Sequence, residues 1–470
     1  MADFDRFDEN TNSQHNRRSE DDVRRFRELL RNGGKDINNP EALEEIIQFY
    51  FEHEKFEDAL TYAERLVSFQ PYNADAWQRK GMILNNLFRY ADALICFDKA
   101  VSLNPVDAEI YINRGITLDN LNRDTESLAS FEKALELEPT NADAIFNKAV
   151  TLEKLEKYEE AERLFRLVLD IDPENPEVWY ELGYCYDYMD RPEESIHAYE
   201  EQLDRDPYNA NAWYNRGIVQ NRIGKYQQAI ESYEYALAIK EDFPAAWYNM
   251  GNAFANLSKL PDAVRCFKAA IELEPKDVSI WHNLGNAYEE LNNYLEALNC
   301  YSRAIEIDMT HHESYFGRGC CYDALGQTRL AEKEFRKATD LRTDYAEYWY
   351  ALGDAQYNLA QLEDCLVSYK RVTEIEPHNA DIWFDYGDTL FEVNRYEDAL
   401  QALQHAIDLK QDYAEARFSL ARVFLSMKRF REAASEFATA FRLMPELRKD
   451  FEQAYPALTK DRQFIRLLHS

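Results

Sequence analysis

Residues 245–257 read AAWYNMGNAFANL, and close copies of the first part of this stretch recur along the chain. Three of the copies are NAWYNRGIV (211–219), EVWYELGYC (177–185) and EYWYALGDA (347–355). Each copy carries a tryptophan, a tyrosine directly after it and a glycine four residues after the tryptophan. A string that returns at a fixed spacing is typical of a protein built from repeats, so the spacing decides the fold class.

The glycine of this string recurs every 34 residues, or after twice 34 where one position holds Ala149. The members of the series are Gly81, Gly115, Gly183, Gly217, Gly251, Gly285, Gly319, Gly353 and Gly387. A second series lies four residues earlier and contains all seven tryptophans: Trp77, Trp179, Trp213, Trp247, Trp281, Trp349 and Trp383. One period therefore governs most of the chain.

Each 34-residue unit is predicted to hold two short amphipathic helices. Twelve residues after the glycine comes a small residue, such as Ala93, and four residues further an aromatic one, such as Phe97. Glycine inside a helix costs about 1 kcal/mol relative to alanine, so its recurrence indicates that glycine and the small residue let two helices approach closely. One helix pair cannot bury its own apolar face, so the sequence predicts an all-α fold in which successive pairs stack.

These columns of tryptophan, glycine, alanine, aromatic residue and proline at a spacing of 34 resemble the tetratricopeptide repeat family. The resemblance implies an α-solenoid, a right-handed superhelix of stacked antiparallel helix pairs, with the first helix of each pair lining the concave face. It covers residues 40–447 as twelve tandem repeats. The repeats are taken to start at Pro40, Ala74, Ala108, Ala142, Pro176, Ala210, Pro244, Val278, His312, Ala346, Ala380 and Ala414.

The remaining residues belong to the two ends. Residues 1–20 form a polar, acidic tail that is expected to be disordered. Residues 21–39 are predicted to hold a short helix and a linker, with three apolar residues on one helix face: Val23, Phe26 and Leu30. This helix either caps the solenoid or is a basic docking helix for another protein or for the acidic groove of its own chain. Residues 448–470 are predicted to form C-terminal capping helices.

The charge and the cysteines limit the class of partner and the compartment. Acidic residues outnumber basic ones by 87 to 54, which gives a formal net charge of −33. A field of this sign repels nucleic acid and anionic lipid and favours neutral or basic protein partners. No apolar run is long enough to cross a membrane or to form a signal-peptide core. The seven scattered cysteines fit a reducing compartment, so we expect a cytoplasmic protein.

No catalytic or cofactor-binding motif is visible in the sequence. The pair His311-His312 lies at a repeat junction, without a third ligand at a metal-like spacing. Cys320 and Cys321 are adjacent, and neighbouring residues of a helix point in different directions. With 87 acidic residues, paired carboxylates occur by chance and identify no general acid or base. We therefore expect no enzyme activity, no cofactor and no metal site.

The resemblance implies that positions 2, 5, 6, 9, 12 and 13 of each repeat line the groove. Position 2 is acidic in nine of the twelve repeats but not in the three that start at residues 210, 244 and 278. Asparagines stand at positions 6 and 9 there, and we call them the amide row: Asn215, Asn249, Asn252, Asn283 and Asn286. An amide can both donate to and accept from a peptide backbone. The amide row is either a site for an extended peptide or ordinary repeat consensus.

Position 5 is aromatic in several repeats. The candidate residues are Tyr180, Tyr214, Tyr248, Phe316 and Tyr350. Such rings favour apolar side chains of a partner, or cationic ones through the ring faces and the nearby acids. Family members that bind chaperone tails use a clamp of lysines and arginine at positions 2, 5 and 6, and no repeat of this chain has lysine at position 5. Binding of a chaperone tail is therefore not expected.

These observations predict a non-catalytic interaction scaffold that binds extended or helical segments of partner proteins in its concave groove. An alternative of a different class is a regulatory or targeting subunit of an enzyme complex, engaged through its termini or its convex face. Removal of residues 1–38 distinguishes the two, because only the alternative loses its partner. The sequence leaves the oligomeric state open, since incompletely capped solenoid ends also permit self-association.

Overall fold

The computed structural model describes residues 39–468, and within them the chain forms 26 α-helices and one short 3-10 helix. The first eleven helices are α1 (Pro40–Glu52), α2 (Phe56–Phe69), α3 (Ala74–Asn86), α4 (Tyr90–Leu103), α5 (Ala108–Asn120), α6 (Asp124–Leu137), α7 (Ala142–Lys154), α8 (Tyr158–Ile171), α9 (Pro176–Tyr188), α10 (Pro192–Arg205) and α11 (Ala210–Arg222). The others are α12 (Tyr226–Ile239), α13 (Pro244–Asn256), α14 (Leu260–Leu273), α15 (Val278–Glu290), α16 (Tyr294–Ile307), α17 (His312–Ala324), α18 (Thr328–Leu341), α19 (Ala346–Asn358), α20 (Leu362–Ile375), α21 (Ala380–Glu392), α22 (Tyr396–Leu409), α23 (Ala414–Ser426), α24 (Phe430–Leu443), α25 (Leu447–Ala454) and α26 (Arg462–Leu468).

The helices up to α24 come in pairs, and the first helix of each pair begins at the first residue of a 34-residue unit. Many first helices are started by a polar side chain directly before them. The Asn73 side chain accepts a hydrogen bond from the Asp75 backbone N–H, and Asp277 does the same for Ser279. A residue in the left-handed region closes the first helix of most pairs, such as Asn122 with φ 56° or Gly224 with φ 77°.

The repeated glycines lie against aromatic rings of the second helix in the same pair. A Cβ atom added at Gly251 would lie 2.6 Å from Phe267 Cε1, and one added at Gly353 would lie 2.5 Å from Tyr369 Cε1. The close approach predicted from the sequence is therefore present. Its main partner, however, is the aromatic residue 16 positions later, and the small residue 12 positions later is not among the nearest atoms there.

The tryptophans fix the junction between one pair and the next. The indole Nε1 of Trp77 donates to the carbonyl oxygen of Pro71 at 3.0 Å, and Trp383 donates to Pro377 at 2.9 Å. Four more tryptophans bond in the same way to the carbonyl six residues earlier: Trp213, Trp247, Trp281 and Trp349. The ring covers the helix pair while its N–H satisfies a carbonyl of the turn.

The chain divides into two compact units, the first ending at Lys225 and the second beginning at Tyr226. Within the first unit, helices α1 to α11 pack each against the next, and helices α12 to α25 do so in the second. The predicted all-α class and the stacking of helix pairs into an α-solenoid are confirmed. The right-handed superhelix stays a prediction.

At the C-terminal end, α25 and α26 cover the apolar face of the last pair. Phe451 and Phe464 are both buried, and the Phe451 ring lies 4.8 Å from that of Phe437. A capping role for residues 448–470 stays a prediction. The predicted tail of residues 1–20 and the predicted helix with Val23, Phe26 and Leu30 lie outside the described residues. In the part of the chain that is described, no helix has the length and apolar character needed to span a bilayer.

Candidate functional site: the amide row and the cavity beside it

Most of the amide row belongs to the second unit, where α13 and α15 carry it. The Asn283 amide nitrogen donates two hydrogen bonds, to Tyr248 Oη at 3.0 Å and to Asn252 Oδ1 at 2.9 Å. The amide of Asn283 therefore ties α15 to the preceding first helix, α13. Both protons of Asn283 Nδ2 are used inside the protein.

Asn286 lies one turn further along α15 and belongs to a second set of contacts. Its amide nitrogen lies 3.2 Å from His282 Nε2. Burial and the nearby His311 lower the pKa of His282 to about 4, so the imidazole is neutral at pH 7 and accepts this bond. The Tyr301 hydroxyl lies 2.8 Å from Asn286 Oδ1 and 2.5 Å from Glu289 Oε2. The Asn286 side chain is thus held from both ends.

Among residues 39–468, Asn252 keeps an unused donor and Asn283 an unused acceptor. Asn252 accepts from Asn283 through Oδ1, and its own amide N–H group bonds to no described residue. Asn283 donates twice, and its carbonyl oxygen accepts from no described residue. Both side chains are half-buried and so keep access to the surface. A donor and an acceptor on two bonded side chains match the two polar groups of a peptide backbone.

The rest of the amide row is divided between the units. Asn215 lies on α11 in the first unit, where its amide nitrogen donates to Tyr180 Oη at 2.9 Å. Asn249 lies on α13 in the second unit and is half-buried. The sequence predicted one continuous row. In the structure, Asn283 bonds directly to Asn252, whereas Asn286 bonds to His282 and Tyr301.

Three of the aromatic candidates bond to a side chain of the next repeat. Tyr180 accepts from Asn215, and Tyr248 accepts from Asn283, in each case 35 residues further on. The Tyr350 hydroxyl donates to Asp385 Oδ2 at 2.8 Å, again over 35 residues. Tyr214 and Phe316 are half-buried. This inter-repeat bond was not predicted from the sequence, although a tyrosine at position 5 and a polar residue at position 6 of the next repeat are its signal.

A cavity of about 660 Å³ lies beside Asn286, with walls from α15, α16, α17 and α19. We call it the α17 cavity. Gly317 of α17 faces it at position 6, where the two preceding repeats carry asparagine. A Cβ atom at Gly317 would lie 2.5 Å from Tyr301 Cζ, so no side chain fits there. The α17 cavity thus lies beside Asn286, the last asparagine of the amide row, and the Tyr301 ring occupies the space in front of Gly317.

The pair His311-His312 at the start of α17 and the pair Cys320-Cys321 within it have contacts that stabilise the fold. His311 accepts a hydrogen bond from the Ser314 backbone N–H and so starts the helix. His312 Nδ1 lies 2.9 Å from the Tyr348 hydroxyl. Burial raises the pKa of the Cys320 thiol to about 12, which leaves little thiolate. Over residues 39–468, no three histidine, cysteine or acidic side chains converge as a metal site would require.

Family models match most of the repeats in this chain. Models described as "TPR repeat" or "Tetratricopeptide repeat" match segments that together cover residues 74–216, 221–333 and 346–428. The chain belongs to the tetratricopeptide repeat family. This membership supports a role as a protein-interaction scaffold built from tetratricopeptide repeats. No curated protein matched the sequence.

Two solved structures are similar to this chain, and each of them covers less than half of its length. The crystal structure of MamA is 24% identical and covers 34% of this chain and 94% of its own, with a TM-score of 0.34. The structure of YrrB, titled a TPR protein with an unusual peptide-binding site, is 24% identical and covers 43% of this chain and 99% of its own, with a TM-score of 0.36. Neither likeness carries an argument about what this chain binds.

Proposed function

We propose that the chain is a non-catalytic scaffold that binds an extended segment of a partner protein along the first helices of its second unit. The observation that carries the proposal is that Asn252 keeps an unused donor and Asn283 an unused acceptor, on two side chains that are joined by a bond of 2.9 Å from Asn283 Nδ2 to Asn252 Oδ1. A peptide backbone in extended form presents a carbonyl and an N–H to such a pair. The acidic character of the chain favours a neutral or basic segment, and the location proposed is the cytoplasm.

The decisive variant is Asn252→Asp. A carboxylate oxygen at this position still accepts from Asn283, so the bond between α13 and α15 is kept, whereas the free N–H donor is lost. Asn299→Asp on α16 is the matched control, because Asn299 is exposed on a second helix and the charge change is the same. We expect binding to weaken by about tenfold or more in the first variant only.

The measurement has two stages. Proteins captured from native cytosol by the unchanged chain are identified, and the affinity of each purified partner is then measured for both variants after circular dichroism has shown equal helicity. Equal affinity of the unchanged chain and Asn252→Asp would contradict the proposal. A chain that lacks residues 1–38 is measured in parallel, because loss of the partner there supports the alternative of a regulatory or targeting subunit that is held through its terminus.

A further inference from the structure

The α17 cavity differs from the amide row in shape and in chemistry. Three rings of α17, α19 and the residue before α19 form one wall. The centroids of Phe316 and Tyr348 lie 4.7 Å apart with ring planes 30° apart, and those of Tyr345 and Tyr348 lie 5.1 Å apart. Tyr348 is held in place by His312 Nδ1, and Tyr345 is 42% exposed. The wall is therefore a fixed aromatic surface with an open edge.

The same wall already carries a guanidinium from this chain. The Arg342 guanidinium carbon lies 4.8 Å from the ring centroid of Tyr345, and its nitrogen Nε donates to Asp344 at 3.0 Å. Arg342 is not part of the cavity lining. Arg342 thus shows that a guanidinium can stack on Tyr345 while it bonds to a carboxylate at its edge.

Four carboxyl groups line the α17 cavity, and no lysine or arginine among the described residues does. Glu289 is partly buried, and the Tyr301 hydroxyl lies beside it. Glu313 lies 3.3 Å from His312 Nδ1. Glu290 and Glu347 are exposed and form no ion pair with any residue in the described part of the chain. The cavity therefore holds uncompensated negative charge next to an aromatic wall.

We propose that the α17 cavity takes an arginine side chain of the partner segment bound along the amide row. The inference rests on the proposed function, since Asn286 belongs to the row and also lines the cavity. Arginine fits better than lysine, because its planar guanidinium stacks on aromatic rings and bonds to two carboxylate oxygens at once.

The test uses the full chain and three acetylated, amidated peptides of the sequence Gly-Ser-Ala-X-Ala-Ser-Gly, in which X is arginine, citrulline or lysine. Citrulline has the shape of arginine without its charge. Binding is measured by ligand-observed nuclear magnetic resonance up to millimolar peptide. We expect the arginine peptide to bind about tenfold more tightly than the citrulline peptide, and more tightly than the lysine peptide.

The variant Glu290→Gln with Glu347→Gln removes the two unpaired carboxylates without touching a buried group. Glu363→Gln with Glu397→Gln is the control, since both of these residues are exposed and the charge change is the same. We expect the arginine preference to disappear in the first double variant and to persist in the second. Equal binding of arginine and citrulline, an equal loss in both double variants or no binding at millimolar peptide overturns the inference.

Two further arms separate this inference from the proposed function. Binding of all three peptides that depends on Asn252 but shows no arginine preference overturns the cavity inference and leaves the amide-row proposal standing. An arginine preference that depends on Glu290 and Glu347 but not on Asn252 supports the cavity and contradicts the amide row. If removal of residues 1–38 tightens peptide binding, the chain's own basic segment is the occupant, and the assignment to a partner is overturned.

Discussion

At the scale of single residues, a side chain at position 6 bonds to the tyrosine at position 5 of the preceding repeat. Asn215 and Asn283 do this as amides, whereas Asp385 does it as an acid, accepting from Tyr350. Burial raises the pKa of Asp385 to about 6, and the nearby acids, chiefly Asp354, raise it as well. The hydrogen bond from Tyr350 lowers this pKa but does not offset the rise. An amide at residue 385 would keep the bond without the buried charge.

We therefore predict that Asp385→Asn stabilises the chain at pH 8. The folded pKa lies above the unfolded value near 3.9, so ionisation destabilises the native chain as the pH rises from about 4 through 6. Two pKa units correspond to about 2.7 kcal/mol, and partial exposure reduces the expected gain to about 1 kcal/mol. The gain is full above pH 6 and shrinks as the pH falls.

The measurement is the thermal midpoint of variant and unchanged chain at pH 8 and at pH 5.5, which stays above the isoelectric point of 4.7. Asp340→Asn on α18 is the control, because Asp340 is exposed. A gain that is the same at both pH values would show that the buried charge of Asp385 is not its cause.

At the scale of the helix pair, the glycine of the first helix and the ring of the second form the tightest contact. We predict that Gly251→Ala destabilises the chain by about 1–3 kcal/mol, although alanine favours a helix by about 1 kcal/mol over glycine. The added Cβ atom would lie 2.6 Å from Phe267 Cε1, so the ring must move. The midpoint of urea unfolding measures the loss. Ala255→Gly, near the end of the same helix, is the control for helix propensity. A stabilised Gly251→Ala would contradict the packing argument.

This contact also marks the limit of sequence reasoning for the helices. The period of 34 predicted the helix pairs, because glycine, tryptophan and aromatic columns follow directly from one-dimensional spacing. The partner of Gly251 depends on the angle and depth at which the helices cross, which spacing does not contain. The bond of Trp77 to Pro71 was missed for a related reason, since a backbone carbonyl has no signature in the sequence.

At the candidate site, too, residue spacing predicted which residues share a face but not their contacts. The sequence predicted that Asn249 with Asn252, and Asn283 with Asn286, project together, because residues three apart in a helix share a face. It did not show that both amide protons of Asn283 are bonded inside the protein, or that a cavity lies beside Asn286. These facts depend on side-chain rotamers and on contacts between different repeats. A single sequence gives the residue types at these positions but not their conformations or contacts.

At the scale of the whole molecule, the dominant quantity is the net charge of −33. Many ion pairs link residues three apart on exposed helix surfaces, such as Arg89 with Asp92 at 2.8 Å and Arg395 with Asp398 at 2.7 Å. Pairs with about half of each side chain exposed contribute little to stability. Salt screens these attractions, but it also screens the repulsion among the excess acids, which acts over the entire folded chain.

We therefore predict that the chain becomes more stable as salt is added. Raising sodium chloride from about 20 to about 200 mM shortens the screening length toward that of physiological ionic strength, and repulsion between unpaired acids falls more than the attraction within short ion pairs. The expected rise in the thermal midpoint at pH 8 is roughly 2–4 °C, which corresponds to about 1 kcal/mol for a domain of 150–250 residues. Potassium chloride at the same ionic strength should give the same rise, because screening does not depend on which monovalent cation supplies it. A midpoint that falls with salt would mean that the surface ion pairs outweigh the excess charge, and a rise with sodium alone would point to a bound ion.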